Sequence, residues 1–190
     1  MTSDLSDAAL IRDARAGGSS AQRALVERYR ETVYRLARSA TGDPEEAFDI
    51  TQEAFIAAFG ALNRFDPGRS FKAWISAITL NKCRDWARRR AVRRFIGLPM
   101  PDHISDWIAD DAPSAETLAA DRAELAATAR AIAELPAKLK DVLILCTVEG
   151  LSQQEAAMTL GISVKAVETR LSRARQKLVG ILRGGPDARV

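Results

Sequence analysis

Apolar residues return every three or four positions along most of this chain, the spacing of amphipathic helices. Nowhere do β-branched and polar residues alternate over the length of a strand. The pattern predicts an all-α protein. A short helix spans Ser6 to Arg15 and stops at Gly17 and Gly18, and a longer one spans Ala21 to Ala40 and stops near Gly42. Asp43, Pro44, Glu45 and Glu46 open a third, because a capping acid, a first-turn proline and carboxylates at the positive dipole end all favour a start there. It runs to about Leu62. The stretch "NRFDPGRS" is a turn with Pro67 and Gly68 as breakers, and a fourth helix leads from Ser70 into a block of arginines. Further on, helices are predicted from Ser114 to Glu134, from Pro136 to Gly150, from Ser152 to Leu160 and from Ser163 to about Leu182.

On three of these helices the faces separate clearly. In "LGISVKAVETRLSRARQKL", Val164, Val167, Leu171, Ala174 and Leu178 form an apolar seam, while Lys165, Arg170, Arg173, Arg175 and Lys177 crowd the rest of the surface. In the third helix, Ala47, Ile50, Ala54 and Phe55 are the packing residues, with Asp49, Gln52 and Glu53 as a polar stripe beside them. In the fourth, Phe71, Trp74, Ile75 and Ile78 follow helical spacing, which is the pattern of a core.

Charge divides the chain. Across 190 residues the net charge is only +3, with an isoelectric point near 9.1. Arg84, Arg88, Arg89, Arg90, Arg93 and Arg94 nevertheless make one basic block, and the helix quoted above makes another. Between them "MPDHISDWIADDAPSAE" is acidic and holds three prolines with its neighbour Pro99 counted. Two domains, 1–95 and 116–190, are therefore expected on either side of a flexible linker, 96–115. Cys83 and Cys146 have no second Cys or His at ligand spacing and read as buried, inert thiols. His103 is the only histidine, and no convergent polar cluster is visible, so neither catalysis, a metal nor a cofactor is expected. No apolar run reaches the roughly 20 residues of a membrane helix, and "MTSDLSDAAL" lacks the parts of a signal peptide, which makes the cytoplasm the default location. With only "GGPDARV" at the end, no appended regulatory domain is expected.

"LSQQEAAMTLGISVKAVETRLSRARQKL" has the layout of a helix-turn-helix. Ser152 and Glu155 form a capping box, Ala156 and Ala157 permit close helix approach, Gly161 supplies the turn, and Ser163 caps the second helix. That helix would present its first turns to a DNA major groove. Lys165, Glu168, Thr169, Ser172 and Arg173 lie off its seam, with Arg170 at the edge. Arginine reads guanine, Glu accepts from cytosine and Thr meets the thymine methyl, while Lys165 and Arg175 suit phosphates equally well. Glu168 is the awkward member, because phosphates repel it unless it reads a base or pairs with a neighbouring cation.

"DITQEAFIAAFGALNRFDPGRSFKAWISAITLNKCRDWARRR", residues 49 to 90, carries Asp-x-x-Gln-Glu-x-Phe, then Arg-x-Phe-x-x-Trp, then Asn-x-x-x-Asp-x-x-Arg-Arg. This resembles region 2 of bacterial sigma-70-type initiation factors, and "LPAKLKDVLILCTVEGLSQQEAAMTLGISVKAVETRLSRARQKL" resembles region 4. The short extracytoplasmic-function (ECF) group fits best, and the resemblance covers residues from about 22 to 182. It implies that Asp49, Gln52, Glu53 and Phe55 contact core RNA polymerase, at the clamp helices of its largest subunit, with the flap as a further contact for the factor. It implies that Lys72, Trp74, Asn81, Arg84, Asp85, Arg88 and Arg89 meet the minus-ten promoter element, and that Lys165, Glu168, Thr169, Arg170, Ser172 and Arg173 meet the minus-thirty-five element. Two roles stay open for Trp74, core or base-stacking brace, and two for Asp85, DNA contact or orientation of nearby arginines. An anti-sigma partner covering both domains is a further expectation.

Reach is consistent with that reading. Elements about 20 base pairs apart lie about 68 Å apart, at 3.4 Å per pair, and a linker from Ile96 to Ala115 extends to about 70 Å. Asp102, Asp106, Asp110 and Asp111 either keep the linker solvated or mimic nucleic acid, and Trp107 is unusual for a tether. A free-standing helix-turn-helix regulator is the competing reading, but it leaves the pattern from Asp49 to Arg90 unexplained. A decoy for an anti-sigma factor should lose the basic surfaces that this chain keeps.

Overall fold

The computed structural model describes residues 5–96 and 127–184, and every regular element among them is helical. The expected linker beyond Ile96, with its aspartates and Trp107, and the start of the helix expected from Ser114 lie outside the described residues.

Helix α1 (Asp7–Arg15) is capped by the Ser6 hydroxyl, which accepts from the Ala9 amide at 3.4 Å. Helix α2 (Ser19–Thr41) ends at Gly42, whose φ of 76° is the left-handed turn that glycine adopts without strain. Helix α3 (Pro44–Ala61) starts where expected: the Asp43 carboxylate accepts from the Glu45 and Glu46 amides at 3.0 and 3.2 Å, which satisfies donors that a helix start leaves free. A 3-10 turn (Leu62–Arg64) leads to the loop before α4 (Phe71–Phe95). The Arg15 guanidinium ties α1 to that loop by donating to the Leu62 carbonyl at 3.0 Å and to the Phe65 carbonyl.

Leu10, Leu25, Val33, Phe55, Phe71 and Ile75 form the inner core of this four-helix unit. Phe71 is its aromatic centre, with ring centroids 5.1 Å from Tyr29, 5.7 Å from Phe65 and 5.5 Å from Trp74.

The second unit comprises α5 (127–134), α6 (Ala137–Leu143), α7 (Gln153–Leu160) and α8 (Val164–Leu182). The helix expected to run evenly from Pro136 to Gly150 instead widens into a π-helical turn at Ile144–Val148. There the Glu149 amide reaches back five residues to the Ile144 carbonyl at 3.0 Å. The extra residue in the turn redirects the chain beyond it, and Glu149 ends up buried.

The capping box before α7 is present on both sides. Ser152 receives the Glu155 amide at 3.2 Å, and the Glu155 carboxylate accepts the Ser152 amide at 2.9 Å. Those hydrogen bonds hold the Glu155 carboxyl below its ordinary value. The cap's contribution is therefore present above the usual carboxylate range and is lost as the pH falls through the lowered folded-state value. Ser152→Ala is expected to cost about 1 kcal/mol, read as a lower urea midpoint at unchanged slope.

The two units share a core. Leu36, Ala37, Leu80 and Cys83 of the first pack in one continuous cluster with Leu135, Val142, Leu143 and Leu145 of the second. Helix α4 lies against α7, and α2 lies against the π-helical turn.

Candidate polymerase and DNA surfaces

On α3, Asp49 and Gln52 are exposed as the polar stripe predicts, and Glu53 is half-buried with its carboxylate 3.1 Å from Lys82 Nζ. Phe55 differs in burial from the other three. It is 6% exposed, on the same inward stripe as Ala54 and Ala58, with its ring stacked 6.1 Å from Phe59, so it supports the face from beneath. Two apolar residues of the same helix are exposed instead. Phe48 and Ile56, four positions to either side of Gln52, are 59% and 73% exposed and make an apolar stripe beside the acids. Their angular offset from the Ala47, Ile50 and Ala54 seam was the available sequence signal.

On α4, Lys72 and Arg84 face the second unit. Lys72 Nζ donates to the Glu149 carbonyl at 2.6 Å and stands 3.8 Å from its carboxylate. Arg84 holds Asp141 Oδ2 through Nε at 2.9 Å and Nη2 at 2.6 Å, while its Nη1 donates to Asn81 Oδ1 at 2.6 Å. Asp85 pairs with Arg88, one turn further along the helix. Arg88 and Arg89 are exposed, and the Arg90 guanidinium lies 5.0 Å over the Trp86 ring. Trp74 is half-buried. One side packs 5.0 Å from Phe65, and another lines a groove of about 180 Å³ with Ala73 and Ala77 of α4 and Glu155 and Met158 of α7.

On α8, Val167, Leu171 and Ala174 are buried, and this orients the opposite face outward. Lys165, Glu168, Thr169, Ser172 and Arg173 are exposed and Arg170 is half-buried at the edge. Val164, the first residue of α8, was placed on the seam by its spacing, yet it is 46% exposed. Lys165 Nζ lies 2.8 Å from Glu168 Oε2, which offsets the repulsion an isolated acid would feel beside a duplex.

Cys83 is buried, and burial beside Asp141 pushes its thiol up to about 12. Cys146 is only half-buried, contrary to expectation, with its thiol raised by that burial, because the π-helical turn leaves it at the margin of the shared core. Burial also raises the Asp141 carboxyl, against the lowering effect of Arg84, Lys140 and Arg170. Among the described residues no three potential ligand side chains gather, and no helix is long and apolar enough to cross a membrane.

The arrangement defines a class: a helix-turn-helix with an exposed cationic second helix, joined to a helical unit with a long arginine-rich helix beside a bare apolar and acidic stripe. Family profiles match both parts in order, sigma-70 region 2 over residues 25–93 and sigma-70 region 4 over residues 125–178. The RNA polymerase sigma factor CnrH of Cupriavidus metallidurans is 40% identical over 186 residues, covering 96% of this chain and 97% of the relative. The ECF RNA polymerase sigma factor SigE of Mycolicibacterium smegmatis is 36% identical over 81% of this chain and 58% of its own length. The solved structure of CnrH with the cytosolic domain of CnrY matches with a TM-score of 0.68, at 36% identity, over 94% of this chain and 97% of that one. The fold also matches the sigma factor RpoE of Bartonella quintana, solved with the anti-sigma factor NepR, with a TM-score of 0.67 at 23% identity over 85% and 96%. The chain belongs to the sigma-70 family of RNA polymerase sigma factors, in its extracytoplasmic-function group, and the reading as a free-standing regulator is set aside.

Proposed function

We propose that this sigma factor docks on the clamp helices of core RNA polymerase through the α3 face, with the flap as a second contact, and gives the enzyme its promoter choice. Residues 1–95 form the polymerase and minus-ten domain, 96–115 the linker, and 116–190 the minus-thirty-five domain. Lys72, Asn81, Arg84, Arg88 and Arg89 meet the minus-ten element, with Asp85 orienting Arg88 and Trp74 bracing the site. Lys165, Glu168, Thr169, Arg170, Ser172 and Arg173 meet the minus-thirty-five element as duplex. Extruded bases held by the first domain offset an unstacking cost of a few kcal/mol, so opening is differential binding. The protein performs no bond chemistry itself, needs no cofactor and works in the cytoplasm. A likeness to CnrH, solved with another protein's cytosolic domain, supports a partner of the anti-sigma kind.

One observation carries the reading: Asp49 and Gln52 lie exposed between Phe48 and Ile56 on α3, one helix away from the arginine row of α4. Polymerase docking and strand contact can then belong to one rigid unit. Gel filtration with bacterial core polymerase tests it. Stoichiometric co-elution of the wild type, weakened about tenfold in affinity by Asp49→Ala with Glu53→Ala, is the expected result. Failure of the wild type to co-elute, beside a control factor that does, would overturn the proposal.

A further inference from the structure

Helix α1 is fastened at both ends. At its start the Asp7 carboxylate accepts from Arg28 Nη1 at 2.6 Å and from the Tyr29 hydroxyl, both on α2. Leu10, Ile11 and Ala14 are buried along its length, and at its end Arg15 reaches across to the chain that follows α3. The helix precedes residues 25–93, which the region 2 profile matches, and neither set of DNA contacts proposed above draws on it.

The two ends differ in what they hold. Asp7 holds side chains of a neighbouring helix, whereas Arg15 holds main chain where the path turns from α3 towards α4. Its Nε donates to the Leu62 carbonyl at 3.0 Å, and its Nη2 donates to the Phe65 carbonyl. The Leu62 carbonyl also accepts the Phe65 amide, at 3.1 Å. The Phe65 carbonyl receives no backbone amide among the described residues, and Phe65 is 3% exposed, so Arg15 supplies a donor where water is largely excluded. Further along, the loop turns on bonds of its own: Asp66 accepts the Gly68 amide on its side chain at 2.9 Å and the Arg69 amide on its carbonyl at 3.0 Å. Those bonds shape the tip and leave the seating of the stem to Arg15 and to the Phe65 ring. That ring lies 5.7 Å from Phe71 and 5.0 Å from Trp74. A path of direct contacts therefore runs from Arg15 through the Phe65 main chain and ring to Trp74.

We propose that Arg15 is a positioning residue for promoter opening: its guanidinium fixes the main chain at Leu62 and Phe65, and the Phe65 ring in turn sets Trp74 at the minus-ten site. The inference rests on the role proposed above for Trp74.

The chemistry of the side chain fits the task. A guanidinium presents a rigid fork of donors that can span two carbonyls, whereas an ammonium is a point charge on a flexible stem. The carbonyls that end α3 and its 3-10 turn are also the negative pole of that helix, where a cation is favoured. Without the fork the Phe65 carbonyl is left buried and without that donor, and the stem gains a reason to shift towards water. The exposed face at Phe48, Asp49, Gln52 and Ile56 lies earlier on α3 and off this path, so polymerase docking should not depend on it.

Permanganate footprinting of a promoter that the wild-type holoenzyme opens, together with core affinity by fluorescence anisotropy, tests the assignment. Arg15→Met is expected to lower bubble formation about tenfold at saturating core enzyme, with core affinity within about twofold of the wild type; tenfold corresponds to about 1.4 kcal/mol. Arg15→Lys keeps the charge and loses the fork, and should lower bubble formation about threefold. Asp7→Ala is the control. It releases the opposite end of α1 and leaves the two carbonyls held, so it should cost stability and still open the promoter as the wild type does. All variants are compared at a temperature where urea unfolding shows each of them folded. Bubble formation unchanged in both Arg15 variants overturns the proposal. So does a parallel loss of core affinity, and so does an equal loss in Asp7→Ala, which would mean that α1 contributes stability alone. Failure of the inference thus appears as Arg15 variants that open like the wild type, and failure of the reading beneath it as a Trp74→Ala variant that opens normally.

Discussion

Phe48→Asp combined with Ile56→Asp is expected to weaken binding to core RNA polymerase about 10³-fold while leaving the urea midpoint of the isolated protein nearly unchanged. Both side chains stand largely in water on α3, so their replacement removes little from the folded state, within about 0.5 kcal/mol for surface changes of this kind. At an interface the balance reverses. Covering a large apolar side chain is worth about 1.5–3 kcal/mol, and each introduced carboxylate would be desolvated without a partner. A combined loss of about 4 kcal/mol corresponds to 10³ in affinity. Phe55→Ala supplies the contrast, because Phe55 is buried: it should lower stability and affect polymerase binding only through that loss. Fluorescence anisotropy with core enzyme and urea unfolding separate the two. Unchanged affinity of the double variant would move the docking face off α3.

How much of the fold is legible in the sequence depends on how local each signal is. The Asp43 cap with Pro44, the Ser152 and Glu155 box and Gly161 act within four residues, and each marks the observed helix end. The exposed face of α8 was legible for a related reason: once Val167, Leu171 and Ala174 turn inward, geometry leaves Lys165, Glu168, Thr169, Ser172 and Arg173 outside. Periodicity fails where an apolar residue is meant to stay uncovered. It assigned Phe55 to the packing set, where it is found, although the family resemblance made it a contact; but it passed over Phe48 and Ile56 and put Val164 on the seam, where it is 46% exposed. It also cannot report charges that meet across domains. Arg35 and Glu149 are separated by 114 residues and Arg84 and Asp141 by 57, so neither pairing leaves a local trace. The π-helical turn likewise differs from an even helix by one residue per turn, within an apolar run compatible with both.

The second large effect is expected inside the first domain, where Phe71→Ala should lower stability by about 3–5 kcal/mol. Phe71 is 2% exposed, and its ring touches Tyr29 of α2, Phe65 of the loop and Trp74 one turn along α4. Truncation leaves a void at the junction of all three, and neighbours held by their own backbones can fill it only in part. Small proteins are stable by about 5–15 kcal/mol, so the loss is a large fraction of the whole and should lower Tm by about 6–20 °C. Phe71 is also the first residue of α4, next to Lys72, which is proposed above to meet the minus-ten element. Trp74→Ala distinguishes packing from strand contact on the same helix. Trp74 is half-buried, so its truncation should cost less stability than that of Phe71 yet reduce opening of the minus-ten element more than it reduces polymerase binding. Calorimetry with permanganate footprinting of the promoter bubble reads both quantities. If Trp74→Ala lost stability as Phe71→Ala does and left bubble formation intact at a temperature where it remains folded, Trp74 would belong wholly to the core.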